Sequence, residues 1–241
     1  MTILDHFDEL RNRLFIGLSA WVVGAGITFA FRFDLLDWLQ APLPPAMTLA
    51  YFSVLEPFVA SMQIASFFGV VLAAPLIVGQ VWGFVSSALS DEERRYAGPF
   101  IAMSALAFAG GVAFAYWVVL PFTLPILLGF LGDQAQGLLS IGRYISTLLL
   151  LMGVFGLLFE MPVVGYLFAR IGLLRSEPMV RHRRWALLGS LVGAAGITPT
   201  ADPFNFALVA GPIVVLYELT IVVVRVSQRR HAPAPAGAGT Y

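Results

Sequence analysis

FVASMQIASFFGVVLAAPLIVGQVWGFVSSAL, residues 58–89, contains no charged side chain. A helix needs roughly 20 mostly apolar residues to cross the ~30 Å hydrocarbon core of a bilayer. The run exceeds that length, so it reads as a transmembrane helix and the chain as an integral membrane protein. Pro75, deep inside it, is expected to kink the helix.

Working outward, four more stretches are long enough to span: Leu14 to Phe33, Pro99 to Phe122, Ile145 to Ala169, and Phe204 to about Val224. A shorter one begins at Trp185 and ends near Ile197, where Thr198-Pro199-Thr200-Ala201-Asp202-Pro203 can neither continue a helix nor sit in lipid. The last run, Phe204 to about Val224, starts on that same Pro-rich turn, so the fifth and sixth helices are both expected to be short, a pair that thins the membrane locally or tucks against its neighbours. The expected fold is all-α, polytopic, with six transmembrane helices. Residues 1–228 form one membrane domain, and the tail 229–241, rich in Pro, Gly and Ala, is too poor in large apolar side chains to bury a core and is expected to be disordered.

Composition agrees: 59% of the 241 residues are hydrophobic and 12% charged, against about 25% charged in soluble domains. With no cysteine, disulfides, thiolate metal sites and cysteine nucleophiles are excluded. The first fourteen residues, MTILDHFDELRNRL, lack the basic n-region and cleavage site of a secretory signal, so the first apolar run is expected to stay as a span.

Orientation comes from the fourteen basic residues, all of them arginine. Twelve fall on one side of the proposed spans, at positions 11, 13, 94, 95, 170, 175, 181, 183, 184, 225, 229 and 230, and only Arg32 and Arg143 on the other. Short cytoplasmic loops carry the positive excess, so both termini and the loops 89–98 and 170–184 are placed in the cytoplasm. The external segment 34–57 carries a short amphipathic stretch, LLDWLQ, expected to form a brief cap helix. Trp38, Trp117, Trp82 and Trp185 fall near the expected membrane boundaries; Trp21 does not.

Catalysis is not expected. The three histidines, His6, His182 and His231, lie outside the spans, and neither HExxH nor GxSxG occurs. No metal or cofactor site and no nucleic-acid partner is indicated. Two cytoplasmic constellations stand out instead. At HFDELRNR and the aspartate just before it, Asp5, Glu9 and Arg13 share a helix face, either as an interfacial helix with an internal ion pair or as a carboxylate presented to a cationic partner. In Ser90-Asp91-Glu92-Glu93-Arg94-Arg95 the Ser90/Glu93 spacing fits a capping box, and a capping carboxylate keeps lone pairs for a partner as well. Glu160 and Glu218 lie inside apolar runs, where ionisable groups are costly and point to function. A proton-coupled transporter of small solutes, using these two acids near the midplane, is the competing reading.

Together these features resemble the TatC family, the multispanning receptor subunit of the twin-arginine protein translocase. The resemblance covers residues 4–228 and rests on HFDELRNR at 6–13, QAPL at 40–43, AAPLIVGQVWGFVSSAL at 73–89 running into DEERR, AFAYWVVLPF at 113–122, FEMPV at 159–163 and ITPTADPF at 197–204. It implies binding of signal peptides bearing consecutive arginines at the cytoplasmic face and export of folded proteins across the cytoplasmic (inner) membrane. By motif, Glu9 and Arg11 match the family's amino-terminal positions, Phe84 and Glu93 its loop positions and Glu160 its buried acid. Pro42, Pro75 and Asp202 fall where the family keeps residues for structure or function. The DEERR loop carries extra acid, leaving Glu92 as a substitute for Glu93 beside Arg94, and the TPTAD turn is one residue longer than the family's TPPD form.

The chemistry fits the resemblance. Arginine's planar fork pairs bidentately with a carboxylate, and lysine does not reproduce this. Six helices of ~10 Å diameter in a ring leave an opening of only about 10 Å, too narrow for a folded domain, so the TatA- and TatB-type single-span subunits implied by the resemblance, together with self-association, are expected. No GxxxxGK[ST] is present, so energy is expected from the proton gradient or a partner, with Glu160 the candidate sensor. The chain's lack of cysteine suits single-cysteine mapping of this topology: Glu93→Cys is expected to react with a membrane-impermeant thiol reagent only from the cytoplasmic side, and labelling only from outside would overturn the orientation.

Overall fold

The computed structural model describes residues 3–44, 47–86, 97–129, 138–197 and 203–229. The chain divides into two compact units, Met1–Leu157 and Leu158–Tyr241. In the first, helix α1 (Ile3–Ala30) leads into the short α2 (Arg32–Gln40), strand β1 (Thr48–Ala50) and the long α3 (Glu56–Ser86). Helix α4 (Ala97–Phe114) then runs through a π-helical turn (Ala115–Val119) into α5 (Leu120–Gly129). Strand β2 (Leu138–Ser140) precedes α6 (Ile141–Phe159).

Among the described residues, five helical stretches are long and apolar enough to cross a membrane: Phe7–Ala30, Glu56–Phe84, Gly98–Ile126, Ile141–Arg170 and Phe206–Gln228. They coincide with the five long runs of the sequence. Only 6% of the apolar window of α1 is buried inside the protein. Leu14, Phe15, Leu18, Val22, Val23 and Ile27 all face outward, an arrangement suited to hydrocarbon and not to water.

Lipid tails supply no hydrophobic force between helices, so helices associate by close packing and hydrogen bonds. The α1–α3 pair uses both. A β-carbon at Gly24 would sit 2.7 Å from the carbonyl oxygen of Gly69, and one at Gly69 would sit 2.5 Å from the backbone nitrogen of Ala25. The two backbones therefore touch at this crossing, which only glycine permits. On either side of it, Trp21 donates Nε1–H to the Ser66 carbonyl (3.0 Å) and Thr28 donates Oγ1–H to the Ala65 carbonyl (2.7 Å). This explains the tryptophan that fits no membrane boundary: Trp21 is a fastener between helices. Further on, Gly111 of α4 and Gly156 of α6 make a second close approach, with Gly111 against the Phe155 backbone and Gly156 beneath the Phe108 ring.

The end of the first unit opposite the amino terminus is closed by α2. The Trp38 and Tyr116 rings stack at 3.7 Å, the Tyr116 hydroxyl donates to the Trp38 carbonyl (2.6 Å), and the Tyr144 hydroxyl donates to the Leu39 carbonyl (2.7 Å). Leu39 is fully buried beneath them. The brief helix expected at LLDWLQ is thus present and pinned at its carboxy-terminal carbonyls. The two strands were not anticipated: β1 and β2 pair in parallel, Thr48 with Leu138 through Ala50 with Ser140. Beside them, Glu56 accepts hydrogen bonds from the Ser140 hydroxyl, from Gly142 N–H (2.9 Å) and from Phe52 N–H (2.7 Å), clasping the start of α3 to the start of α6.

The second unit contains α7 (Met161–Arg170), α8 (Ser176–Arg181), α9 (Arg183–Ile197) and α10 (Pro203–Arg229). Helix α7 ends in a left-handed glycine: Gly172 has φ +73°, Leu173 N–H reaches the Phe168 carbonyl and Gly172 N–H the Ala169 carbonyl, the pairing of a Schellman turn. Gly165 of α7 packs against Thr220 of α10, whose methyl lies 2.5 Å from any added β-carbon. The segment between helices is held by Gln228, which accepts from Ser176 (3.0 Å) and donates to the Leu174 carbonyl (3.3 Å).

Two features depart from the expected spans. The fourth run is one apolar stretch but two helices, interrupted at Glu160, because Pro162 carries no N–H to donate back to the Leu158 carbonyl; the helical ladder restarts with Val164 N–H on the Glu160 carbonyl. Pro75, by contrast, sits within α3 without ending it. The fifth helix is short as expected, 15 residues or about 22 Å. The sixth is not: α10 has 27 residues, since Pro203 occupies the first helical position, where no N–H is needed, and the helix continues past the end of the apolar run near Val224 through Arg225-Val-Ser-Gln-Arg229. The tail lies outside the described residues.

The glycine crossing has a direct test. Gly69→Ala is expected to destabilise the protein by about 1–3 kcal/mol through forced separation of α1 and α3, measured as a lowered unfolding midpoint in detergent. Gly26→Ala, two residues from Gly24 and facing open space, is expected to leave that midpoint unchanged.

Candidate functional site

The antiparallel packing of α1 on α3 sets the amino-terminal end of α1 beside the last turns of α3. Between the two helices lies an apolar groove of about 390 Å³, whose walls include Leu14, Leu18 and Trp21 of α1 and Ile77, Val81 and Phe84 of α3. A second, polar recess of about 490 Å³ is lined by Asp8, Glu9, Asn12, Arg13, Ile16 and Gln80. Arg13 and Gln80 belong to both. A segment lying along this surface therefore meets apolar walls over one part of its length and carboxylates over the next.

Glu9 is paired with Arg13 as the i,i+4 spacing predicted. Both Nε (2.9 Å) and Nη2 (2.6 Å) of Arg13 donate to the same oxygen, Oε1 of Glu9, with the two side chains about a quarter exposed. Arg11 takes the other side of the helix, 3.3 Å from Asp8, in an exposed pair of the kind worth about 0–1 kcal/mol. Gly83 is what lets Arg13 lie down: a β-carbon at that position would overlap its guanidinium.

The structure therefore gathers Glu9, Arg11 and the half-buried Phe84 at one end of the α1–α3 pair. Glu92, Glu93, Arg94 and Asp202 lie outside the described residues. Pro42 is half-buried in the turn that leaves α2, and Pro75 is exposed on α3. Neither touches the groove. Glu160, half-buried, marks the break between α6 and α7.

Glu218 has a partner that sequence reasoning missed. Arg183, at the first position of α9, donates Nη2–H to its Oε2 at 2.6 Å, while the neighbouring Tyr217 hydroxyl donates to the Met179 carbonyl (2.9 Å). Glu218 is thus no solitary acid at membrane depth, and the transporter reading loses one of its two carboxylates. The i,i+4 rule could not find this pair, because its members are 35 residues apart on different helices.

Residues 5–212 match the family described as Sec-independent protein translocase protein (TatC). The chain belongs to the TatC family. A TatC protein of Deinococcus radiodurans is 35% identical over 97% of this chain and 91% of its own length. The Synechocystis TatC is 36% identical over 90% of this chain and 85% of its own. A crystal structure of the twin arginine translocase receptor TatC superposes with a TM-score of 0.82 at 35% identity, covering 93% of this chain and all of that one. The α1–α3 groove is therefore carried on a fold shared with that TatC structure.

The α9–α10 ion pair makes its own prediction. Arg183→Glu or Glu218→Arg alone is expected to lower the yield of folded protein through like-charge contact. The double exchange is expected to recover most of it, read by size-exclusion chromatography in detergent.

Proposed function

We propose that this chain is the signal-peptide receptor of a twin-arginine translocase in the cytoplasmic membrane, with both termini in the cytoplasm. It works with single-span subunits of the TatA and TatB type and with further copies of itself, and the proton gradient drives export of folded cargo. The observation that carries the receptor reading is the junction of an apolar groove with a carboxylate-bearing recess on one pair of helices. A signal peptide of this class has the complementary order, arginines followed by an apolar stretch. The family membership of the chain supports the same reading.

Recognition divides between the two recesses. A guanidinium entering the polar recess meets Glu9, and a charge-assisted hydrogen bond in a partly desolvated site contributes roughly 1.5–3 kcal/mol. The second arginine has Asp8 within the same recess, and Glu92 or Glu93 is the further acid expected from the sequence. The apolar part of the peptide lies along Leu14, Leu18, Ile77 and Val81, where burial adds ~0.8 kcal/mol per methylene. Charge supplies selectivity and the groove supplies most of the affinity.

The two contributions separate by mutation. Glu9→Gln is expected to weaken binding of a twin-arginine peptide about tenfold or more and to narrow its advantage over a twin-lysine peptide. Gly17→Phe, which fills open space on the groove wall, is expected to weaken both peptides alike. Peptide titration onto the purified protein in nanodiscs measures both, and equal affinity of the native chain for the two peptides would overturn the reading.

A further inference from the structure

Arg13 occupies the position on Glu9 that a signal-peptide arginine is proposed to take. Its guanidinium delivers two N–H groups to Glu9 Oε1, lies over Gly83 of α3, and lines both the polar recess and the apolar groove. It is the same functional group as the proposed ligand, bound to the same carboxylate, at the junction the ligand must cross. We propose that Arg13 is a built-in competitor: an intramolecular guanidinium that closes the Glu9 site in the unliganded receptor and is displaced by the incoming arginine. This rests on the receptor reading above.

Two features separate this from an ordinary surface ion pair. The first is the cradle. Gly83 has no β-carbon to hold the guanidinium away, so Arg13 spans from its own helix to α3 and bridges the groove mouth. The second is chemical equivalence, because exchange of one guanidinium for another on the same oxygen changes little electrostatically. Binding is then easily reversed, as release of a signal peptide requires.

A competitor of this kind lowers the apparent affinity by the fraction of receptors in which it is disengaged. A partly exposed i,i+4 pair worth about 0.2–1 kcal/mol closes the site in roughly 60–85% of molecules, so its removal strengthens binding about two- to sixfold. The gain is the same for every ligand of the site, because the competitor acts on the free receptor. A positioning role for Arg13 would instead alter the ratio between ligands.

The test uses the full chain in nanodiscs, titrated with a twin-arginine and a twin-lysine peptide. Arg13→Gln is expected to tighten both peptides by the same factor, about two- to sixfold. Arg13→Lys and Gly83→Ala keep the positive charge, the first losing the two-donor clasp and the second pushing the guanidinium off α3, and each is expected to tighten both peptides by a smaller equal factor. Tightening in Arg13→Gln alone would reduce the effect to relief of charge repulsion and overturn the competitor. Unchanged or weaker binding in all three variants would overturn it too, with the receptor reading intact so long as Glu9→Gln still loses affinity. If the native chain does not prefer arginine to lysine, the receptor reading itself fails.

Discussion

Everything in the amino-terminal unit that bears on recognition depends on one backbone contact, Gly24 of α1 against Gly69 of α3. Inside a bilayer the apolar side chains of α1 gain nothing by leaving lipid for protein, so association has to come from surfaces that fit closely and from hydrogen bonds lipid does not offer. The glycine crossing supplies the fit, and Trp21 and Thr28 supply the hydrogen bonds. Because the helices touch there and carry larger side chains toward the amino-terminal end, the space between them opens into the groove that ends at Arg13 and Glu9. The width of the site is set by residues far from its chemistry.

Irregular backbone in this protein follows the same constraint. A carbonyl without a donor is costly in hydrocarbon, so breaks occur where a local substitute exists. The π-helical turn at Ala115–Val119 keeps the backbone hydrogen-bonded while changing register, and it presents Tyr116 to the Trp38 carbonyl. The interruption at Glu160 is repaired within one turn by Val164. The left-handed turn at Gly172 closes α7 by returning the N–H groups of Gly172 and Leu173 to its last carbonyls.

Much of this was legible in the sequence. Five long apolar runs became five long helical stretches because hydropathy and length alone decide whether a segment can span. The short fifth helix was legible because the Thr-Pro-Thr-Ala-Asp-Pro run cannot be helical in lipid. The Glu9–Arg13 pair was legible because i,i+4 spacing fixes a shared face. What stayed hidden depends on pairing between segments distant in the chain. Arg183 with Glu218, Glu56 with Ser140 and Gly142, and the two short strands join residues tens of positions apart, and no periodicity encodes them. The length of α10 was misjudged for a different reason: hydropathy marks where lipid ends, while a helix continues for as long as its backbone can be satisfied. The groove itself was invisible, since Gly17, Gly24, Gly69 and Gly83 read as ordinary small residues until the helices are placed together.

Trp21 and Thr28 address carbonyl oxygens of α3, not side chains. A carbonyl is present whatever residue occupies Ser66 or Ala65, so the receiving helix is chemically indifferent to its own sequence at the fastening points. The donors on α1 have no such freedom, as an indole and a hydroxyl are required at those heights. Among relatives, sequence drift should therefore be lopsided across this interface, with the amino-terminal helix held to its residue types while its partner varies in everything but size.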